Sequence, residues 1–400
     1  NSEEAFEKLA ANKLILRKYM ILGIPKEIMP NETRVAVIPA TVKQFVSAGF
    51  TVKVESNAGI SSQISDSDFK EAGAEILTSA NEIFNQSDMI LKVNSPTNEE
   101  IQMIKDGSSY LSFFQTMKET DKVKALQSKN VTAYSMHLIP RTTLAQKMDA
   151  LSSQTNISGY KAVLIGSCHI EKYMPLLMTA AGTIPPAKVL VLGAGVAGLS
   201  AIATAKRLGA QVEASDVRPE VKEQVESLGA KFLEVESNSD DGVGEGGYAK
   251  ETSEEYKKKQ AKLLNERIAV SDIVVTTALI PGRTAPILIS DKMVKSMSAG
   301  SVIMDLAAEN GGNCELTKKD EVIEVNQVII DGTSNIPATM PVHASELYAK
   351  NISTFLIHTL NDAKVNLDLN DEIISGALFT HQGKITHQPT EEAINQSKGS

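Results

Sequence analysis

Residues Gly193-Ala194-Gly195-Val196-Ala197-Gly198 form a G-x-G-x-x-G that directly follows the apolar run VLVL and opens a helix-like stretch ending at Leu208-Gly209. In that setting the first glycine permits a tight turn, the second lets backbone approach a pyrophosphate, and the third allows close helix-strand packing. The N-terminus of the helix then offers free N–H groups to phosphate oxygens. Alone the pattern is weak, because a glycine turn without a ligand also matches it. Here, however, Asp216 follows the strand-like run QVEAS about 20 residues on, where a carboxylate would accept hydrogen bonds from an adenosine ribose. The same charge favours NAD(H) over NADP(H), whose 2′-phosphate would meet it at short range. Arg218 pulls the other way, since a guanidinium is what NADP(H) sites use; an ordinary helix-start arginine in water is the even alternative.

A second polar group lies in PRTTLAQKMDALSS. Gln146, Asp149 and Ser152 are spaced by three, so on one helix they would share a face. Such stripes are usually only solvated. The functional alternative puts Arg141, at the end of a strand, and this stripe in an interdomain cleft, because ligands of α/β proteins sit at strand carboxyl ends. A dehydrogenase acting on an alcohol or amine must also move a proton, which requires a general acid/base beside the nicotinamide. Of the histidines His137, His169, His343, His358, His381 and His387, none lies at a strand end with an obvious orienting carboxylate. Lys92, ending the run MILK, is well placed at a sheet edge, and a salt bridge is its plainer explanation.

These residues need a scaffold, and the sequence supplies two. From Met20, the runs ILGIP, TVKVES, MILKV, YLSFF and VTAYSM read as short strands, separated by helix-like stretches that end at Gly49 and Asn130. Such alternation implies a parallel sheet covered by helices on both faces. After Pro185-Pro186 a second series follows: KVLVLG, QVEAS, AKFLEV, SDIVVTTA, GSVIMDLA and QVIIDG. The fold class is therefore α/β, with two doubly wound parallel-sheet, Rossmann-like domains and a nucleotide cleft between them. The expected domains are a linker helix at 1–19, a first domain at 20–150 plus 343–387, a nucleotide-binding domain at 151–342, and a flexible tail at 388–400. The amphipathic helix from Ala344 to Leu360 would return to the first domain, ahead of strand-like EIISGALF and GKIT. Ser237 to Thr252, rich in Gly, Asp and Ser, reads as a surface loop of the lid kind.

Composition excludes other classes. With 42% hydrophobic and 22% charged residues among 400, the chain is globular, and its formal charge of −9 without a basic block argues against nucleic acid or anionic lipid as partner. Cys168 and Cys314 stand far apart without a His/Cys cluster, so neither a disulfide framework nor a metal site has ligands, and the compartment reads as reducing. The uncharged run from Val189 to Ala205 falls just short of the roughly 18 residues of a membrane span and is broken by glycines. A start at Asn1 suggests a processed chain or one cut from something longer.

The segments MILGIPKEIMPNETRVAVIP, VLVLGAGVAGL, SDVRPEVKEQVESLGA, VVTTALIPGRTAP and GSVIMDLAAENGGNCE together resemble the NAD(H)-binding domain I of proton-translocating NAD(P) transhydrogenases, within a superfamily related to alanine dehydrogenase. The resemblance runs from about Met20 to His387. It implies a homodimer that binds NAD(H) and docks a separate NADP(H)-binding domain III. NADP(H) would sit only on that partner, hydride would pass directly between nicotinamides, and a membrane domain II would couple transfer to proton translocation. The chain would then be active only with its partner, as a soluble domain on the cytoplasmic or organelle-matrix face of a membrane. Carried over by position, Arg141, Gln146 and Asp149 become the catalytic set, joined in cofactor binding by Thr142, Thr143, Leu144 and Ser152. The dinucleotide turn maps onto Gly193, Gly195, Val196, Ala197 and Gly198, and the ribose acid with its neighbours onto Asp216, Val217 and Arg218. The lid maps onto Gly247 and Tyr248, and Leu279 borders the nicotinamide side. Alanine dehydrogenases, by the same resemblance, use a His where this chain has Gln115 and a Lys corresponding to Lys92. Glutamine exchanges no proton near neutral pH, so amino-acid oxidation lacks its acid/base; a catalytically silent NAD sensor is the other alternative.

Overall fold

The computed structural model describes residues 20–234, 254–280, 284–361, 364–365 and 367–396. The expected linker helix at 1–19 and the expected lid with Gly247 and Tyr248 lie outside them. The described chain divides into two compact units: one is Gln154–Met340, and the other combines the chain up to Ser153 with the chain from Pro341.

The first unit begins with β1 (Ile21–Ile24), β2 (Thr51–Glu55), β3 (Glu75–Leu77), β4 (Met89–Leu91), β5 (Ser109–Ser112) and β6 (Thr132–Ser135). The second holds a small hairpin, β7 (Leu177–Thr179) and β8 (Gly182–Ile184), and then β9 (Lys188–Leu192), β10 (Gln211–Ser215) and β11 (Lys231–Phe232). It continues through β12 (Ile273–Thr276), β13 (Val302–Asp305), β14 (Val322–Val325) and β15 (Val328–Asp331). The returning segment adds β16 (Leu360–Asn361), β17 (Lys364–Val365), β18 (Leu378–His381) and β19 (Lys384–Ile385) to the first unit.

One sheet reads β3-β2-β1-β4-β5-β6-β18-β19, with parallel pairing up to β6, β18 antiparallel to β6 and β19 antiparallel to β18. The other reads β11-β10-β9-β12-β13-β15-β14, parallel except for β14. Both follow the doubly wound order, reversing between β1 and β4 in one and between β9 and β12 in the other. The expected fold class of two mainly parallel α/β sheets is thus the observed one.

The strands read as unbroken apolar runs because both faces are buried. Val189 and Val191 pack with Ala201 and Ile202 of the helix Val196–Arg207, while Leu190 and Leu192 pack on the other face with Ile268 and Ile289. Full burial of each such aliphatic side chain contributes roughly 1.5–3 kcal/mol. In the first unit the helix Pro341–His358 brings Tyr348, Ile352, Phe355 and Leu356 onto the sheet's core, an apolar stripe at helical spacing.

Two expectations are corrected. Within the expected tail at 388–400, Gln388–Gln396 is a helix with Thr390 and Ile394 buried, and the Thr390 hydroxyl bonds Thr116 Oγ1 at 2.6 Å; residues 397–400 lie outside the described residues. EIISGALF is not one strand, because Asp371 Oδ1 accepts the N–H groups of Ile373 and Ile374 at 2.8 and 2.9 Å and so starts the helix Glu372–Ala377 ahead of β18. Among the described residues no helix is long and apolar enough to cross a membrane.

Candidate functional site

In the second unit the residues of interest gather where β9, β10 and β12 end. Gly193 turns the chain out of β9 with φ +102°, a conformation that side chains rarely adopt. Its N–H donates to Ser215 O at 2.8 Å, and its carbonyl accepts from Thr277 Oγ1 at 3.0 Å, so the turn is pinned from both neighbouring strands. A Cβ on Gly198 would stand 1.8 Å from Gly193 O, so the third glycine is what lets the helix Val196–Arg207 start this close to the turn. Gly195 is different: a Cβ there would meet only Arg218 Nη2, at 3.9 Å. Gly195 is also the N-cap, and no side chain caps this helix, so its first N–H groups and its dipole are left to face an anion. The second glycine is therefore approached only by the end of one flexible side chain, which leaves its backbone within reach of a pyrophosphate once that side chain moves. The residues present fit a dinucleotide.

Asp216 stands beside this turn with both oxygens engaged. Oδ2 accepts the Ala194 N–H at 2.7 Å and Arg218 Nη2 at 3.0 Å; Oδ1 accepts the Arg218 N–H at 2.9 Å and its Nε at 3.0 Å. Burial alone would raise this carboxyl's pKa, but the hydrogen bonds from Arg218 and Ala194 and the guanidinium charge outweigh it and hold the group below its ordinary value. Arg218, half exposed at the start of a short helix, is the partner of Asp216. Val217 is 80% exposed beside it, and Val196, at the start of the helix, and Leu279, past the end of β12, are exposed apolar side chains.

Several residues that shape this site carry no motif of their own. Gly159, in the helix Ala150–His169, lies so close beneath the turn that a Cβ would meet Ala197 O at 2.0 Å. Asn313 is fully buried and grips the chain around Leu279: its amide donates to Ala278 O at 2.9 Å and Pro286 O at 2.8 Å, and its Oδ1 accepts Ala278 N–H at 3.0 Å. Asp305, at the end of β13, fixes Asn313 in turn, accepting its N–H at 2.7 Å. The usable signal is the amide and acid inside GSVIMDLAAENGGNCE, since buried polar side chains must find partners.

In the first unit, Arg141 follows β6 and is exposed. Gln146, Asp149 and Ser152 do not form a stripe on one helix. Gln146–Met148 is a single tight turn, the backbone leaves helical geometry at Asp149, and the helix begins at Ala150. Asp149 caps that helix, accepting the Ser152 N–H at 2.8 Å and its hydroxyl at 2.5 Å. The structure thus brings Asp149 and Ser152 together and leaves Gln146, Thr143 and Leu144 exposed, Leu144 to 84%. The loop is nevertheless anchored: Ala145 and Met148 are buried, and Asn351 donates to Lys147 O at 2.9 Å while accepting the Ser153 hydroxyl at 2.8 Å.

Below the ends of β1 and β4 lies a buried ionic network. Lys92 Nζ is 2.5 Å from Glu100 Oε1 and 3.5 Å from Glu27 Oε2, and its side chain has no exposure. Its salt-bridge explanation is the observed one. Arg34 forks onto Glu32 with Nε at 2.8 Å and Nη2 at 2.7 Å, and Asn94 Nδ2 donates to Glu32 Oε2 at 2.9 Å. Burial would raise Glu32, but Arg34 outweighs it and brings the carboxyl down to about 2, whereas burial pushes Glu27 up against the pull of Lys92. Because the folded pKa of Glu32 is depressed, its stabilising share is complete above the ordinary value of 4.5 and is lost as pH falls towards 2. Glu32→Gln is expected to cost about 3–5 kcal/mol at neutral pH, since the buried Arg34 loses the carboxylate it forks onto. It should also flatten the loss of stability between those two pH values, which denaturant melts at a series of pH would read; an unaltered acid limb refutes the assignment.

Gln115, exposed, lies where the resemblance places the histidine of alanine dehydrogenases; its N–H donates to Glu119 Oε2 at 3.1 Å. Among the described residues no three His, Cys, Asp or Glu side chains come together as a metal site.

Two doubly wound units, one carrying an uncapped G-x-G-x-x-G helix with an acid beside it, have the architecture of a dinucleotide-binding dehydrogenase fold. More particularly, the chain belongs to the alanine dehydrogenase/PNT family: residues 23–158 match that family's N-terminal domain and 162–388 its C-terminal domain. It is 46% identical over 376 residues to the first portion of the NAD(P) transhydrogenase alpha subunit of Rhodospirillum rubrum, covering 92% of this chain and 98% of that one. It is also similar to the crystal structure of transhydrogenase from Sinorhizobium meliloti, with a TM-score of 0.83 and 45% identity over 91% of this chain and 99% of the other. An L-alanine dehydrogenase structure matches at a TM-score of 0.79 and 26% identity, over 94% and 99% of the two chains.

Proposed function

We propose that this chain is the NAD(H)-binding component of a proton-translocating transhydrogenase, exchanging hydride with NADP(H) carried on a partner domain. The bound NAD(H) supplies or receives the hydride at C4 of its nicotinamide ring. The turn from Gly193 to Gly198, with Val196 and Ala197 opening the helix, holds the pyrophosphate, and Asp216, flanked by Val217 and Arg218, takes the adenosine ribose. Arg141, Gln146 and Asp149, with Thr142, Thr143, Leu144 and Ser152, position the nicotinamide, and Leu279 borders it. The chain acts as a homodimer beside a membrane portion outside this sequence, on the cytoplasmic or matrix face.

The observation that carries this reading lies at the two positions where the resemblance places the proton-handling residues of alanine dehydrogenases. Lys92 is neutralised inside the fold by Glu100 and Glu27, and Gln115 replaces an acid/base with an amide. Exchange between two C4 atoms handles no substrate proton, so catalysis rests on ring placement and exclusion of water. Mixing the protein with an NADP(H)-binding partner domain should give hydride transfer from NADH to an oxidised NADP analogue, followed by absorbance. Oxidation of alanine without a partner, or absence of transfer with one, defeats the proposal.

Cofactor choice follows from the same residues. NADH is expected to bind at least tenfold tighter than NADPH, a difference of about 1.4 kcal/mol set by the 2′-phosphate meeting Asp216. Asp216→Asn should narrow the gap, because the charge goes while a hydrogen-bonding side chain stays. Equilibrium dialysis giving equal affinities in the unmodified protein sinks this expectation.

A further inference from the structure

A carboxylate offers about four lone-pair positions, and at Asp216 four donors use them: two backbone N–H groups, from Ala194 and Arg218, and two guanidinium nitrogens of Arg218. A ribose that binds through its 2′- and 3′-hydroxyls needs two of those positions. The backbone donors belong to the turn after β9 and the chain after β10, so they stay; only the guanidinium leaves by rotating a side chain. We propose that Arg218 is a displaceable internal ligand of Asp216, which occupies the ribose positions until a nucleotide expels it. The proposal rests on the NAD(H) reading above.

Exposure favours this division of roles. The Arg218 side chain is 48% exposed and can move into water, whereas that of Asp216, at 6%, is held beneath it. Ion pairs with one partner so exposed are weak and screened, so a nucleotide can displace this one. The guanidinium also lies over the second glycine, 3.9 Å from where a Gly195 Cβ would be, and thus across the ground a pyrophosphate would occupy. The consequences for the two nucleotides have opposite signs. For NAD(H), Arg218 is a competitor that lowers affinity. For NADP(H), it is a counter-charge between Asp216 and the 2′-phosphate, and its planar fork matches phosphate oxygens. The residue that sits beside the ribose acid therefore sets how far the site rejects the other nucleotide.

Fluorescence titration of NADH and NADPH separates these effects. Arg218→Ala is expected to bind NADH three- to tenfold tighter and NADPH weaker, so that the preference widens at least tenfold. Arg218→Lys, which keeps the charge without the fork, should tighten NADH to a smaller degree. In an Asp216→Asn background the Arg218→Ala change should no longer tighten NADH, which ties the effect to the pair rather than to local disorder. Acid should release NADH from Arg218→Ala at a higher pH than from the unmodified protein, since Asp216 is no longer held down by the guanidinium. If the unmodified chain binds NADH and Arg218→Ala binds it no better, the internal-ligand role is overturned; if the unmodified chain binds no NADH, the NAD(H) reading itself falls.

Discussion

Gly198→Ala is expected to lower NADH affinity at least a hundredfold, about 2.7 kcal/mol, and to destabilise the second unit at the same time. The added Cβ would stand 1.8 Å from Gly193 O and 2.8 Å from Gly193 C, both backbone atoms. Contacts under 3.0 Å are not tolerated, so either the turn or the helix Val196–Arg207 must move by more than an ångström. The turn has little room to give, because Gly193 is held by Ser215 O, by Thr277 Oγ1 and by its left-handed φ. The helix is pressed in its turn by Gly159, whose own missing Cβ admits Ala197 O. Movement therefore spoils the pyrophosphate site and the packing of Ala201 and Ile202 together. Gly195→Ala is the control: its Cβ makes one ordinary contact, with the flexible end of Arg218, so the melting temperature should hold while NADH weakens about tenfold, by roughly 1.4 kcal/mol, through lost room for phosphate. Titration of NADH beside thermal melts decides it. A Gly198→Ala protein that binds NADH normally refutes the assignment of this turn.

Why one glycine is decisive and another is not is only half visible in the sequence. The G-x-G-x-x-G pattern identifies the turn, but the contrast between Gly195 and Gly198 needs atoms. The strands around it are legible because runs such as VLVL and IVVT are buried on both faces, which leaves a continuous apolar signature. β14 leaves no such signature: it is an edge strand with Val322 53% exposed, and it joins β15 through Asn326 and Gln327, both in left-handed conformation. β3 is three residues long, with Glu75 exposed. The polar composition of the chain's end disguises its structure, since a single apolar residue, Ile394, and one threonine pair are what dock the last described helix.

The candidate site shows the same split between local and distant information. Spacing by three suggests a common helix face for Gln146, Asp149 and Ser152, yet the same spacing is that of an N-cap aspartate and the N–H three residues on, and the cap is what forms. Asp216 and Arg218 are two residues apart, so their pairing lies within reach of the sequence, though its direction does not. Asn313 and Ala278 are 35 residues apart, and no periodicity links them. Long-range polar contacts of this kind are fixed by the sheet order, which must be known before they can be read.

Gln146→Asn is expected to slow hydride transfer on the order of a hundredfold while changing NADH affinity little. The substitution keeps the amide and withdraws it by one methylene, a displacement of about 1 Å, and misplacement on that scale can cost a factor of that size when ring alignment matters in the transition state. Most of the binding free energy comes from elsewhere, from the helix N-terminus after Gly195 and from Asp216. The loop that carries Gln146 also argues for local damage only: Met148 and Ala145 are buried beneath it, Asn351 holds Lys147 O, and Gln146 itself is exposed, so shortening it leaves the anchors in place. A melting temperature equal to that of the unmodified protein should accompany the slow transfer. Stopped-flow rates with the partner domain, beside NADH affinities, provide both readings. The positioning role fails if the transfer rate is intact, and it fails equally if affinity and rate fall by the same factor, because the residue would then serve binding alone.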